Sequence, residues 1–217
     1  MIRIYCMVLN RLLPRGEFHH QLETLPQLCR DQILALVNNT DRHLSLSGKL
    51  LVREGLKDAG MDPGALQQLQ LTLRGKPFIP GGADFNITHS GDLVACAFST
   101  SNRVGLDIEK IIPVDLSEFQ EILRPDEWEA IQSAERPQTR FFTIWTQKEA
   151  VIKAEGEGFF QPIDQIEINR DQAYLKDRVW FLTELSPFPE YIGCLATDTP
   201  SKLIQIKMID QAALFSS

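Results

Sequence analysis

The sequence predicts an α+β (mixed α/β) fold in two similar, pseudo-twofold-related halves. Each half is a small, mainly antiparallel sheet packed with helices, and a ligand cleft lies between them. Three observations predict it. Short β-branched and aromatic runs recur between turn signals. Two long segments carry apolar residues along one helical stripe. Two stretches also recur at nearly one spacing. Leu93-Val-Ala-Cys-Ala-Phe-Ser-Thr100 resembles Tyr191-Ile-Gly-Cys-Leu-Ala-Thr-Asp198, 98 residues later, and Lys57-Asp-Ala-Gly60 resembles Lys153-Ala-Glu-Gly156, 96 residues later. A repeat of this length implies two units of like architecture, and ligands favour the junction between such units.

Residues 2–9 read as a first strand: Arg3 interrupts a short apolar run, which excludes a signal peptide. Residues 41–59 read as a helix carrying Leu44, Leu51 and Leu56, with Asp41 as N-cap and Gly60 as the stop. Strands follow at 69–73, 84–87, 93–99 and 103–109. Residues 125–135 start a helix with Pro-Asp-Glu, which suits a first turn. The helix at 137–155 starts at Pro137, carries Phe141, Ile144, Trp145 and Ile152 on one stripe, and ends at Gly156. Strands at 165–169, 178–184 and 191–197 complete the second half. The halves divide as 1–104 and 105–217.

Composition removes several classes of function. At 217 residues, with 43% hydrophobic and 24% charged residues, the chain can bury a core. No stretch approaches the roughly 18–20 apolar residues of a membrane span. Cys6, Cys29, Cys96 and Cys194 form no CxxC pair, so zinc and redox motifs are unsupported. Reduced thiols and the absence of a secretory signal point to the cytoplasm. A net charge of −7 argues against nucleic acid as a partner. Residues 1–104 hold 11 Lys+Arg against 9 Asp+Glu, and residues 105–217 hold 11 against 20. A polyanion therefore suits the first half and a divalent cation the second, although uneven surface solvation explains the split equally well.

Four stretches carry chemistry. Val104-Gly-Leu-Asp-Ile-Glu109 puts two carboxylates at i and i+2 of a strand, on one face and about 6–7 Å apart. That pattern fits a magnesium site of hard oxygen ligands and a solvent-facing strand edge alike. In Trp145-Thr-Gln-Lys-Glu-Ala-Val-Ile-Lys153, Glu149 and Lys153 share a helix face, as active-site groups or as a surface pair. Asp84-Phe-Asn-Ile-Thr-His-Ser-Gly91 presents His89 as a phosphate ligand, a proton shuttle or a capping residue. Arg74-Gly-Lys-Pro-Phe78 presents Lys76 on a turn.

In this order, Gly75-Lys-Pro77, Phe85-Asn-Ile-Thr-His-Ser-Gly91, Val104–Glu109 and Phe141–Ala154 resemble the 4′-phosphopantetheinyl transferases of the monomeric, two-halved class. Gly48-Lys-Leu-Leu-Val-Arg53 resembles a further helical signature of that family, so the likeness spans roughly residues 40–160.

The resemblance implies Mg2+ on Asp107, Glu109 and Glu149. It implies coenzyme A as substrate and an apo acyl or peptidyl carrier protein as acceptor, with a serine attacking the β-phosphorus and adenosine 3′,5′-bisphosphate leaving. Glu149, Lys153 and His89 are the implied catalytic residues. Lys76, Thr88, His89, Lys153, Arg53, Arg42 and Arg74 are the implied substrate-binding residues.

Relatives cluster basic residues ahead of the first long helix to hold the 3′-phosphate. Here only Arg30, Arg42 and His43 stand there, and Leu44 replaces a common basic residue. The apolar residues of 111–123 form a candidate docking groove for the carrier, or a loop packed on the core. A non-catalytic binding module and another Mg2+-dependent transferase are the other readings. The first lacks a reason for the acidic set, and the second does not fit the Lys-Glu-Ala spacing.

Overall fold

The computed structural model describes residues 1–156, 163–201 and 203–216. In chain order these are β1 (Ile2–Val8), α1 (Arg15–Glu23), α2 (Gln27–Ala35), α3 (Asn39–Asp58), β2 (Gln70–Leu71), β3 (Pro77–Phe78), β4 (Asp84–Ser90), β5 (Leu93–Ser99) and β6 (Val104–Lys110). Next come α4 (Pro125–Gln132), α5 (Pro137–Glu155), β7 (Glu167–Asn169), β8 (Gln172–Leu175), β9 (Arg178–Leu185), β10 (Tyr191–Thr197), β11 (Ile204–Met208) and α6 (Gln211–Ser216). The chain divides into two compact units. The first is Met1–Leu73, Pro77–Asn102 and Ser201–Ser217; the second is Arg74–Lys76 and Arg103–Pro200.

The first unit holds a sheet of order β11-β1-β5-β4, antiparallel except for the parallel pair β1–β11. Helix α3 lies across it. A Cβ at Gly48 or Gly55 would stand 2.5 Å from Ile87 or Phe98, so these two glycines let the helix settle onto β4 and β5. Asn38 caps α3 by accepting from the Thr40 amide, and Asp41 falls inside the first turn instead of at the cap. Gly60, at φ 71°, follows the helix as expected. The core contains Tyr5, Met7, Leu50, Val52, Phe85 and Phe98.

The second unit is an antiparallel sheet of order β6-β10-β9-β8-β7, with α5 packed on β6 and β10. Pro137 starts α5, and Gly156, at φ 76°, ends it. Gly105 marks the closest approach. A Cβ there would lie 2.0 Å from the Ala150 carbonyl oxygen and 2.3 Å from the Ala154 amide nitrogen. Backbone cannot yield as a flexible side chain can, so Gly105→Ala must push α5 off β6. We expect this variant to lose about 1–3 kcal/mol in urea-induced unfolding. A variant as stable as the parent would show that the helix does not rest on this residue.

The two units share a plan. A strand, a long helix and a hairpin recur as β1–α3–β4–β5 and β6–α5–β9–β10, and each hairpin's last strand pairs with the first strand of its set. The repeated segments of the sequence are β5 and β10, and the ends of α3 and α5. The α+β class in two similar, mainly antiparallel halves therefore holds.

Some elements differ from expectation. Of residues 69–73 only Gln70–Leu71 pair, and Leu73 is fully exposed. Helices α1 and α2, each preceded by a proline, were not read from sequence; Phe18/Leu22 and Cys29/Ile33 are their buried i, i+4 pairs. Strand β8 was also missed. Residues 201–217 lie with the first unit, because β11 pairs with β1 and Lys207 reaches Asp58 at 2.8 Å. All four cysteines are buried thiols. No helix among the described residues is long and apolar enough to cross a membrane.

Candidate active site

The acidic pair on β6 is placed by the same contact that demands Gly105. Side chains alternate along a strand, so Gly105, Asp107 and Glu109 share a face. Gly105 faces α5, and Asp107 and Glu109 follow it. Asp107 is 2% exposed, a rare position for a carboxylate. The Lys153 ammonium, in the last turn of α5, donates to its Oδ1 at 2.5 Å.

Helix α5 explains the rest. An amphipathic surface helix keeps its polar residues in water. Here Thr146, Gln147, Lys148, Glu149 and Glu155 are all buried. Glu149, 8% exposed, is therefore no member of a surface pair. Its carboxyl is pushed above the usual range, first by burial and then by the negative charges of Asp107 and Glu109, while Lys153 pulls it down. Three carboxylates and one ammonium thus share one electrostatic environment, as two sequence motifs about 40 residues apart suggested.

Lys148 was missed. It is fully buried and pairs with Glu127 of α4 at 2.8 Å. It also donates to the carbonyls of Ile163 at 3.0 Å and Ile166 at 3.2 Å. Burial lowers its ammonium's pKa, and Glu127 opposes that. Glu127 also accepts from the Arg124 amide, capping α4. The residue next to Glu149 is thus anchored at three points, which fixes the rotation of α5 at the acidic face. Arg103 adds a tie, donating to the carbonyls of Ala154 (3.2 Å) and Glu155 (2.7 Å) at the end of the helix. A lysine inside an otherwise buried helical stretch was the available signal for Lys148. Nothing local marked Arg103.

Lys76 belongs to the second unit. Its stem lies against Gly156, and its ammonium donates to the Val104 carbonyl at 3.4 Å. Arg74 is exposed on the preceding turn. In the first unit, Thr88 is buried and His89 exposed near the end of edge strand β4. Arg53 lies on α3, with its guanidinium 3.4 Å from the Thr24 hydroxyl. Arg42 turns back to the end of α2, donating to the Leu36 carbonyl at 2.7 Å and the Leu34 carbonyl at 3.1 Å. That closes a helix whose last carbonyls lack partners of their own. In the 111–123 segment, Ile111, Val114, Leu116 and Phe119 pack against the cluster of Phe141, Phe142 and Ile144. Ile112 and Ile122 stay exposed.

Among the described residues no group of three His, Cys, Asp or Glu side chains is preassembled to hold a metal ion. The donor chemistry nevertheless suits a hard divalent cation. Asp107, Glu109 and Glu149 offer only oxygen, and a cation would relieve the repulsion that adds to the effect of burial on Glu149.

Residues 103–191 match the model of the 4′-phosphopantetheinyl transferase superfamily, and residues 14–101 match that of the 4′-phosphopantetheinyl transferase N-terminal region. A 4′-phosphopantetheinyl transferase of Aneurinibacillus migulanus is 37% identical over 79% of this chain and 73% of its own length. One from Bacillus subtilis is 30% identical over 77% and 76%. The 4′-phosphopantetheinyl transferase HetI of Nostoc sp. is 30% identical over 85% and 84%.

Proposed function

The chain belongs to the 4′-phosphopantetheinyl transferase superfamily, and from that premise we propose that it moves the phosphopantetheine arm of coenzyme A onto a serine of an apo acyl or peptidyl carrier protein. The observation that carries this reading is the meeting of buried Asp107 and Glu149 with half-buried Glu109 and Lys153, where β6 packs on α5. The serine oxygen forms a bond to the β-phosphorus. The bond from that phosphorus to the bridging oxygen breaks, and adenosine 3′,5′-bisphosphate leaves.

Asp107, Glu109 and Glu149 would hold Mg2+. Bound there, the ion supplies electrostatic stabilisation of the pyrophosphate oxygens. The protein's own groups do the remainder. Lys153 neutralises Asp107 and is aimed at the same face, so it can pair a phosphate oxygen as charge develops. A serine hydroxyl is a poor nucleophile near neutral pH and needs a base. Glu149, whose carboxyl is raised by burial, is that base in our reading. Lys76, at the edge of the same unit, is assigned to the nucleotide, and so is exposed Arg74. On the first unit, Thr88 and His89 are assigned to phosphate and Arg53 to the 3′-phosphate. Arg42 is assigned to the substrate as well, from a guanidinium that is also engaged with α2. We place the reaction in the cytoplasm, on a monomer.

The test is intact-mass spectrometry of several apo carrier proteins incubated with this protein and coenzyme A. With Mg2+ a carrier gains the mass of one phosphopantetheinyl group, and with excess chelator it does not. Transfer undiminished by chelation would remove the ion from the scheme. No gain on any carrier would overturn the proposed activity.

A further inference from the structure

A cavity lies wholly within the first unit, between α1 and the start of α3, and of the residues lining it only Arg42 has an assignment in the proposed reaction. It encloses about 460 Å3, within the range of small-molecule sites. Leu12, Leu13, Phe18 and Leu34 give it an apolar side. Leu12 and Leu34 are each 44% exposed, so that side is open to a ligand. Its ionisable lining is basic: Arg15, His19, Arg42 and His43, with no carboxylate among the described lining residues.

His43 makes this more than a surface dent. It is 6% exposed, and its ring lies against Phe18 with centroids 4.6 Å apart. Its Nδ1 stands 2.7 Å from the Asn39 carbonyl oxygen. A carbonyl can only accept, so Nδ1 carries the hydrogen and donates. Nε2 is buried and, among the described residues, has no hydrogen-bond partner. A buried polar atom left so costs stability until something in the cavity meets it. Arg42, held to the Leu34 and Leu36 carbonyls, fixes one positive charge in the wall. Arg15 is exposed on the first turn of α1 and brings a second.

We propose that this cavity binds a small amphipathic oxyanion, a carboxylate or phosphate head on a short apolar tail, at a site separate from that of coenzyme A. The planar guanidinium of Arg15 matches two oxygens of the head at once. Nε2 of His43 meets the head through a hydrogen bond. The tail lies against Phe18, Leu12 and Leu34. Neither half of the ligand suffices: a bare anion leaves the apolar wall wet, and a neutral tail leaves Nε2 and Arg15 unmet.

The experiment titrates the whole protein with octanoate, phenyl phosphate, inorganic phosphate and 1-octanol, and follows the His43 ring nitrogens by 15N NMR. Octanoate, phenyl phosphate or both shift Nε2 saturably at about millimolar concentration or below. Inorganic phosphate and 1-octanol bind about tenfold more weakly or not at all. Arg15→Gln weakens the amphiphile by about tenfold, with the melting temperature and the rate of carrier modification unchanged. No saturable shift with either amphiphile would mean that water alone meets Nε2, and would overturn the proposal. Equal binding by Arg15→Gln would do the same. So would displacement of the probe by coenzyme A, which would make the cavity part of the substrate's own site. This binding test stands whether or not transfer activity is found.

Discussion

Asp107→Asn and Glu149→Gln each lower the rate of carrier modification by about 10^3-fold or more, with the fold intact. Both changes keep the shape of the side chain and remove its charge. Removing one preorganised electrostatic group from a dry site commonly costs 10^2–10^3 in rate. Here the same change also strips one of three ligands from a cation that would face a diphosphate. Asp107→Asn leaves Lys153 without its 2.5 Å ion partner, so part of the loss reflects a mobile Lys153. Glu149→Gln removes the base as well. Initial rates by mass spectrometry, with circular dichroism melts alongside, separate chemistry from folding. Parental turnover in both variants would remove the acidic face from the mechanism. Loss of turnover together with collapse of the melt would reassign these residues to stability.

Glu127→Gln destabilises the second unit by about 3–5 kcal/mol, because it strands a fully buried ammonium. For a chain of this length that is a drop of roughly 6–20 °C in melting temperature. Lys148 would keep its bonds to two carbonyls but lose its counter-charge, and burial already disfavours its charged form. Urea unfolding reads the effect directly. A loss below about 1 kcal/mol would place this pair with ordinary exposed ion pairs. Because Lys148 precedes Glu149, transfer should fall in this variant even at temperatures where it stays folded.

Much of the site was legible in sequence because its parts obey local rules. Alternation put Asp107 and Glu109 on one face of a strand. The helical period put Glu149 and Lys153 on one face of α5. Pro137 and Gly156 bounded that helix, and the 96–98 residue repeat gave the two-part plan. Each of these follows from short-range sterics and the solvation pattern of a dozen residues.

What only the tertiary structure decided were the partners chosen across the chain. Lys153 pairs with Asp107, 46 residues away. Lys148, beside Glu149 in sequence, points into the core to meet Glu127, while Arg42 turns back to the end of α2. Gly105 is required because a helix about 45 residues later touches its backbone. Strand β11 returns about 200 residues to lie beside β1. Lysine and arginine stems reach several ångströms in any direction, and strand pairing depends on backbone groups that every residue carries. Neither choice is encoded locally: each is settled only when non-local packing fixes which charges and which strand edges are left to be met.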